Sequence, residues 1–245
     1  MITPAFAAQP CARPFYNRGL DVTPLAPYTY QGLGTASASS VGGVSSLVIP
    51  NCQGAVGEVV FGAICVDNQI NVDNILVTMD GDPFKGGINW FYDVDKALFS
   101  YYVPMNGVPR MGAIVFDFSL CTGLPTKVTG LASRASTLNQ GGGAIPLDKT
   151  KGGGGAGTNQ DSGLTANTVQ AHEFIYGLIA TDGFGVDALG AWTAPLVAGQ
   201  RASNVNGLDL KEGFAWVNAI GTYRAQVTGA TSRAWRALCQ TFTAA

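Results

Sequence analysis

Residues 192–242 carry the clearest pattern in the chain. Three runs there, 195–202, 212–220 and 233–242, alternate apolar with small or polar side chains at a period of two. Asn204, Asn206, Gly207, Gly221 and Gly229 punctuate them. Such alternation between turn-formers predicts strands joined by hairpins. The last run puts Trp235, Ala237, Cys239 and Thr241 on one face and Arg236, Leu238, Gln240 and Phe242 on the other. The Trp235 indole then needs a facing sheet to enclose it.

The same rhythm predicts strands over residues 44–49, 58–66, 75–79, 89–93, 97–103, 112–121, 127–132, 165–169 and 173–181. The run EVVFGAICV at 58–66 is apolar on both faces, as a strand covered on each side would be. Residues 208–217 place Leu210, Phe214 and Val217 at helical spacing, but Gly207, Gly213 and Gly221 favour a strand. No repeat of fixed period is read beyond the strand–turn rhythm. Short strands with a turn every 8–12 residues or so predict an antiparallel sandwich or barrel.

Two stretches break the rhythm. Residues 1–43 hold five of the 12 prolines, and Phe6, Phe15, Tyr16, Leu20, Leu25, Tyr28 and Tyr30 lie among them. Proline is excluded from helix interiors and central strands, and a disordered tail would be poor in aromatics. The segment therefore reads as an extended arm with seven apolar anchors. They lie down either on the arm's own domain or on another subunit; disorder is the third alternative. Its end, QGLGTASASSVGG at 31–43, reads as a Gly/Ser hinge, which puts the folded domain at 44–245. Residues 141–163 contain nine glycines and read as a long surface loop or flexible insertion.

Charged residues make up 12% of the chain, against about 25% in a typical soluble domain. So little charge suits a surface covered by neighbours. The net charge of −2 is spread without blocks, which argues against a nucleic-acid surface and against a polybasic membrane contact. No apolar window is long enough for a spanning helix, and the first residues lack the basic region of a secretory signal. Cys11, Cys52, Cys65, Cys121 and Cys239 are odd in number and widely spaced, which predicts free thiols and no metal site. No Asn-x-Ser/Thr sequon occurs, so both features fit assembly in a cytoplasm.

The order GLIAT at 177–181, Gly199-Gln200-Arg201, EGFAWV at 212–217 and Ser232-Arg233-Ala234-Trp235 resembles a family. It is the jelly-roll, concanavalin-like β-sandwich domain of tailed-phage virion proteins, with Ala234 where that family usually has proline. Val115-Phe116-Asp117-Phe118-Ser119, followed by Leu124-Pro125-Thr126, is similar to its central strand and acidic turn. The resemblance spans roughly residues 44 to 245. It implies a jelly-roll fold and a virion setting, and carries no catalytic signature.

Candidate chemistry is sparse. His172 is the only histidine, and Ser162, Asp161 and Asp182 near it lack the Gly-x-Ser-x-Gly elbow of a hydrolase. Glycosidases need paired carboxylates, yet Glu58, Glu173 and Glu212 have no carboxylate two residues away. Asp80/Asp82 and Asp93/Asp95 have that spacing but sit in predicted turns, where Asp is favoured for local hydrogen bonds; Asp80-Gly81-Asp82 also lacks the further ligands of a calcium loop. The Gly-rich run 151–157 has no Gly-Lys-Ser/Thr and no following helix, so it is not a phosphate loop. Trp90, Phe91, Tyr92, Tyr101 and Tyr102 are dense enough for a sugar-stacking surface.

The expectation is an all-β, antiparallel jelly-roll β-sandwich with an extended N-terminal arm. No catalytic, cofactor-binding or metal-binding residue is expected. The expected role is a non-enzymatic virion protein, a capsid decoration or a fibre or adaptor subunit, assembled in the host cytoplasm. Its expected partners are other virion proteins, major capsid or tail, and further copies of itself. The alternative is a host-recognition domain that binds surface polysaccharide.

Overall fold

Glu58–Val66 forms a strand buried along almost its whole length, and the fold is built outward from it. The computed structural model describes residues 28–67, 74–84, 89–93 (backbone), 96–105, 107–136, 138, 147–183, 187–204 and 207–244. The first half contains β1 (Tyr30–Ser39), β2 (Ser46–Gly54), β3 (Glu58–Val66), β4 (Leu76–Met79), β5 (Asp82–Pro83), β6 (Asn89–Asp93), β7 (Lys96–Pro104), β8 (Arg110–Asp117) and β9 (Lys127–Ser136). The second contains β10 (Leu147–Gly157), β11 (Gln160–Asp161), β12 (His172–Asp182), β13 (Ala191–Trp192), β14 (Val197–Asn204), β15 (Leu208–Asn218), β16 (Gln226–Thr228) and β17 (Arg233–Thr243). The protein is all-β, and the strands pair antiparallel as the alternation predicts.

The two halves repeat one topology. The inner sheet of the first half runs β1-β9-β3-β7-β6, and that of the second runs β10-β17-β12-β15-β14. With the short β5 left out of the count, these are the same ranks in chain order. The outer sheets correspond likewise, β2-β8-β4 with the short β5 against β11-β16-β13. The correspondence is visible in the sequence of the central strands once they are aligned. EVVFGAICVD from Glu58 recurs as EFIYGLIATD from Glu173, with Glu, Gly, Ile and Asp in common at a spacing of 115. The fixed-period reading misses this repeat because it occurs only twice and its period is a whole half-chain.

The sheets stack in four layers: first-half outer, first-half inner, second-half inner, second-half outer. Val60, Ile64, Phe99, Tyr101 and Val103 meet Leu47, Ile49, Ile114 and Phe116 in the first outer interface. Phe61, Leu98, Tyr102 and Leu131 meet Phe174, Tyr176, Leu178, Leu238 and Phe242 between the inner sheets. The opposite side of β12, β15 and β17 packs under the second outer sheet. Both inner sheets are therefore covered on both faces, which is why β3 and β12 read as almost unbroken apolar runs. Trp235 is enclosed as expected, but on the outward side of β17 with Val227 and Ala230 rather than between the two large sheets.

Three sequence expectations change. Residues 31–39, read as a hinge, belong to β1, which pairs with β9 from Tyr30↔Ala135 to Ser39↔Lys127. The folded stack thus begins ahead of residue 44. Residues 141–163 read as a loop; 141–146 lie outside the described residues, and 147–157 form β10, paired with β17 as far as Gly157↔Arg233. The glycines there answer to close approach rather than flexibility. A Cβ on Gly153 would lie 2.5 Å from the Asp161 carbonyl oxygen, and one on Gly155 3.0 Å from the Trp235 ring. Residues 165–169, read as a strand, have no regular structure and run beside 221–223 through Thr165 N to Tyr223 O, 2.8 Å, and Thr168 N to Gly221 O, 2.9 Å. The segment 208–217 is a strand, as its flanking glycines predict. Asp80-Gly81 turns β4 into β5, with φ of 53° and 78°, a hairpin in which both residues adopt the left-handed conformation that Asp-Gly favours.

Candidate functional site

The polar contacts between the inner sheets obey the same two-fold relation as the strands. Ser100 Oγ donates to Gln240 Oε1 at 2.6 Å, and Ser133 Oγ donates to Glu212 Oε2 at 3.2 Å. Ser100 lies opposite Ala63 on β3, and Glu212 lies opposite the equivalent Leu178 on β12. Ser133 and Gln240 lie opposite the equivalent Phe61 and Tyr176. Phe61 and Tyr176 themselves stack, with ring centroids 4.7 Å apart at 24°. Two equivalent rings in mutual contact mark the pseudo-dyad.

One side of this relation is neutral and the other carries a carboxyl. Glu212 is 1% exposed. It accepts from the Tyr176 hydroxyl at 2.8 Å, the Gln200 backbone N–H at 3.0 Å, the Gln200 side-chain amide at 3.4 Å and the Tyr30 hydroxyl. Burial pushes its pKa up to about 8, against the pull of the Gln200 N–H. Hydroxyls donate or accept, so Tyr30, Tyr176 and Ser133 can satisfy the carboxyl in either protonation state.

A second buried carboxyl lies on the outward face of β12. Glu173 is 0% exposed and has no ion-pair partner among the described residues, with Asp148, Lys149 and Thr241 the polar groups beside its carboxyl. Burial first, and the Asp148 carboxylate second, raise its pKa to about 8. The duplicated half explains the deficit. Glu58, the equivalent residue, accepts from Arg134 Nη1 at 3.0 Å and from the Ala55 N–H at 2.7 Å. The position of Arg134 is taken by Thr241 in the second half, so Glu173 lacks that cation.

Both carboxyls bind more protons folded than unfolded, where glutamate titrates near 4.3 or so. Their contribution to stability is full below that pH and is lost as pH rises towards 8. Each is worth a few kcal/mol at most, since one pKa unit is about 1.4 kcal/mol. The melting temperature should therefore fall between pH 5 and pH 9, by roughly 10 °C for a chain of this size. Glu212→Gln, which keeps the neutral shape, should flatten much of that slope in a thermal-melt series. An unchanged slope would show that Glu212 does not titrate in this range.

The Glu212 cluster is also where the N-terminal segment enters. Tyr28 stacks on Trp216 at 4.2 Å and Tyr30 on Phe214 at 3.7 Å. Thr29 and Ser136 exchange backbone and hydroxyl hydrogen bonds, tying the segment to the end of β9. Tyr28 and Tyr30 thus pack on the chain's own second half. The other five anchors, Phe6, Phe15, Tyr16, Leu20 and Leu25, lie outside the described residues.

The remaining candidates are structural where they are described. His172 opens β12 and its Nδ1 lies 3.1 Å from Asn218 Oδ1. Ser162 bonds Gly163 O and Ala225 N, and Asp161 pairs with Arg224 at 2.8 Å, so no triad forms with His172. Asp82 pairs with Arg110 at 2.8 Å. Tyr101 and Tyr102 are sealed in the core, which removes them from any sugar-stacking surface; the side chains of Trp90, Phe91 and Tyr92 lie outside the described residues. Cys52, Cys65, Cys121 and Cys239 are free, and Cys11 lies outside the described residues. Burial pushes the Cys65 and Cys239 thiols up to about 12, which makes them poor nucleophiles. The described residues hold no group of three or more His, Cys, Asp or Glu that could bind a metal ion, and no helix long and apolar enough to cross a membrane.

Sequence reasoning missed Glu212, Glu173 and the aromatic pair Phe214 and Trp216 as a site. The available signal was a lone glutamate inside each apolar strand. No family model, no curated protein and no solved structure matches the chain.

Proposed function

We infer that the chain is a non-enzymatic structural protein of a tailed-phage virion, a capsid decoration or a fibre or adaptor subunit joined to its neighbours by residues 1–27. The observation that carries this reading is the division of the chain. From Tyr28 onward the four layers close a core of their own, while Phe6, Phe15, Tyr16, Leu20 and Leu25 belong to the segment ahead of it.

Two further features support it. The buried carboxyls and thiols are closed off from solvent and are not arranged as nucleophile and base, which fits a protein without catalysis. Each half also divides its antiparallel strands between two packed sheets, which is compatible with the jelly-roll architecture used by viral capsid domains. The same architecture serves lectins, but the loss of Tyr101 and Tyr102 to the core leaves no described residue that favours sugar binding.

The test is incorporation. Particles produced with Phe6→Ser, Phe15→Ser and Tyr16→Ser together should lack the protein when purified particles are analysed by mass spectrometry, while the soluble variant keeps the wild-type melting temperature. Full occupancy by the variant would reject the docking role of the segment.

A further inference from the structure

The duplication supplies an internal control for the two outward faces. In the second half, the exposed side of the outer sheet is polar. Asp161, Gln226 and Thr228 point outward, and Asp161 accepts from Gln226 Nε2 at 3.2 Å and from Arg224 Nη1 at 2.8 Å. An antiparallel sheet with one wet face normally looks like this. The equivalent face in the first half departs from it. Val48, Leu76 and Met111 are 46%, 45% and 73% exposed, and Pro50, Ala113 and Val115 lie among them. Val48 and Val115 are directly opposed across β2 and β8, so the apolar positions adjoin. The register shift between Ile49 and Cys52 opens a shallow concavity there, lined by Pro50, Asn51, Gln53, Met111, Gly112 and Ala113 without a single charge. A contiguous apolar patch on one of two otherwise equivalent faces is the mark of a docking surface.

We propose that this face receives residues 1–27 of a second copy of the chain. The proposal rests on the reading of that segment as the docking element and names its partner. Composition fits first. Residues 1–27 offer five prolines with Phe6, Phe15, Tyr16, Leu20 and Leu25, the kind of Pro-rich apolar ligand that lies in shallow grooves without a large ordering cost. Pro50 in the edge strand β2 blocks simple strand addition, so the ligand lies across the face rather than along its edge. Charge fits second. The segment carries Arg13 and Arg18 against Asp21, and the rim of the face carries Asp80, Asp82 and Asp117 against Arg110. The segment is also long enough to extend beyond its own domain to a neighbour's face. Tyr28 is held on Trp216 in the second half, on the far side of the first inner sheet from this face. Phe6, Phe15 and Tyr16 precede it by 12 to 22 residues, enough to span about 40–70 Å. That matches or exceeds the width of a domain this size, whose radius of gyration is about 18 Å.

Sedimentation of the full chain across the micromolar range tests this, with two sets of full-length variants. One alters the face, Val48→Asp with Met111→Asp; the other alters the segment, Phe6→Ser with Phe15→Ser and Tyr16→Ser. All of these face residues are exposed, so melting temperatures should stay at the wild-type value. The wild type should self-associate, and each variant set should weaken association by roughly tenfold or more. An equimolar mixture of the two sets should recover one-sided association, because each supplies what the other lacks. A monomeric wild type overturns the proposal, as does a face variant that associates normally. Loss with the face variant but not the segment variant means that something other than the segment covers the face, and also overturns it. A monomeric wild type that particles still take up through residues 1–27 sinks this proposal alone; a self-associating chain that no particle takes up sinks the virion reading alone.

Discussion

Tyr176→Ala should leave the protein mostly unfolded or insoluble at physiological temperature. Tyr176 stacks on Phe61 at the pseudo-dyad and is fully buried with Phe174 and Phe242 around that pair. Truncating a buried aromatic costs about 3–5 kcal/mol, a large part of the 5–15 kcal/mol or so that holds a domain together. Its hydroxyl also bonds Glu212, so truncation removes one of the donors that satisfy a buried carboxyl. Phe61→Ala should be comparably severe, although it sits 115 residues away in the other half. Urea melts of both, beside Ile220→Ala at an exposed position, should separate the two severe variants from a near-neutral control. If either ring could be removed at little cost, the halves would not be sharing a core.

Replacing residues 151–157 with two glycines should be almost as damaging, opposite to what their composition implies. Those residues form most of β10, the neighbour of β17 in the second inner sheet. Their removal strips the backbone hydrogen bonds from one side of β17 between Cys239 and Arg233 and uncovers the Trp235 ring packed against Gly155. The expected result is a fall in melting temperature well beyond 10 °C or so, with exposed strand edge and aggregation. A melting temperature within a few degrees of wild type would return these residues to the status of a loop.

The contrast shows what the sequence could and could not disclose. Period-two alternation locates β15 and β17, and apolar or aromatic runs locate β3, β7 and β12, because those strands bury large side chains against a facing sheet. It fails for β1 and β10, whose serines, alanines and glycines are low in strand propensity. Those residues are small because other layers press on them: Gly34 faces Ile49, and Gly153 faces the backbone of β11. The four-layer stack is foreshadowed by the unbroken apolar runs at β3 and β12, yet two such runs alone do not say that they face each other. That follows from register, which pairs Ser100 with Gln240 and Ser133 with Glu212. The buried carboxyls were visible as letters but not as a site. Their chemistry depends on partners distant in sequence, Tyr30 for Glu212 and Asp148 for Glu173. The arm was legible as proline and aromatics, while the place where it becomes domain, at Tyr28, depends on Trp216 and Phe214 almost 190 residues later.

The central claim is that two equivalent halves fold against each other about an internal two-fold axis, with a shared core that neither half completes alone. Co-expression of residues 1–140 and 141–245 as separate chains, with an affinity tag on only one of them, tests it most directly. The account predicts that the untagged fragment copurifies at one-to-one stoichiometry and that the complex melts in a single transition. Two fragments that purify separately, each folded and each with its own melting transition, would contradict it.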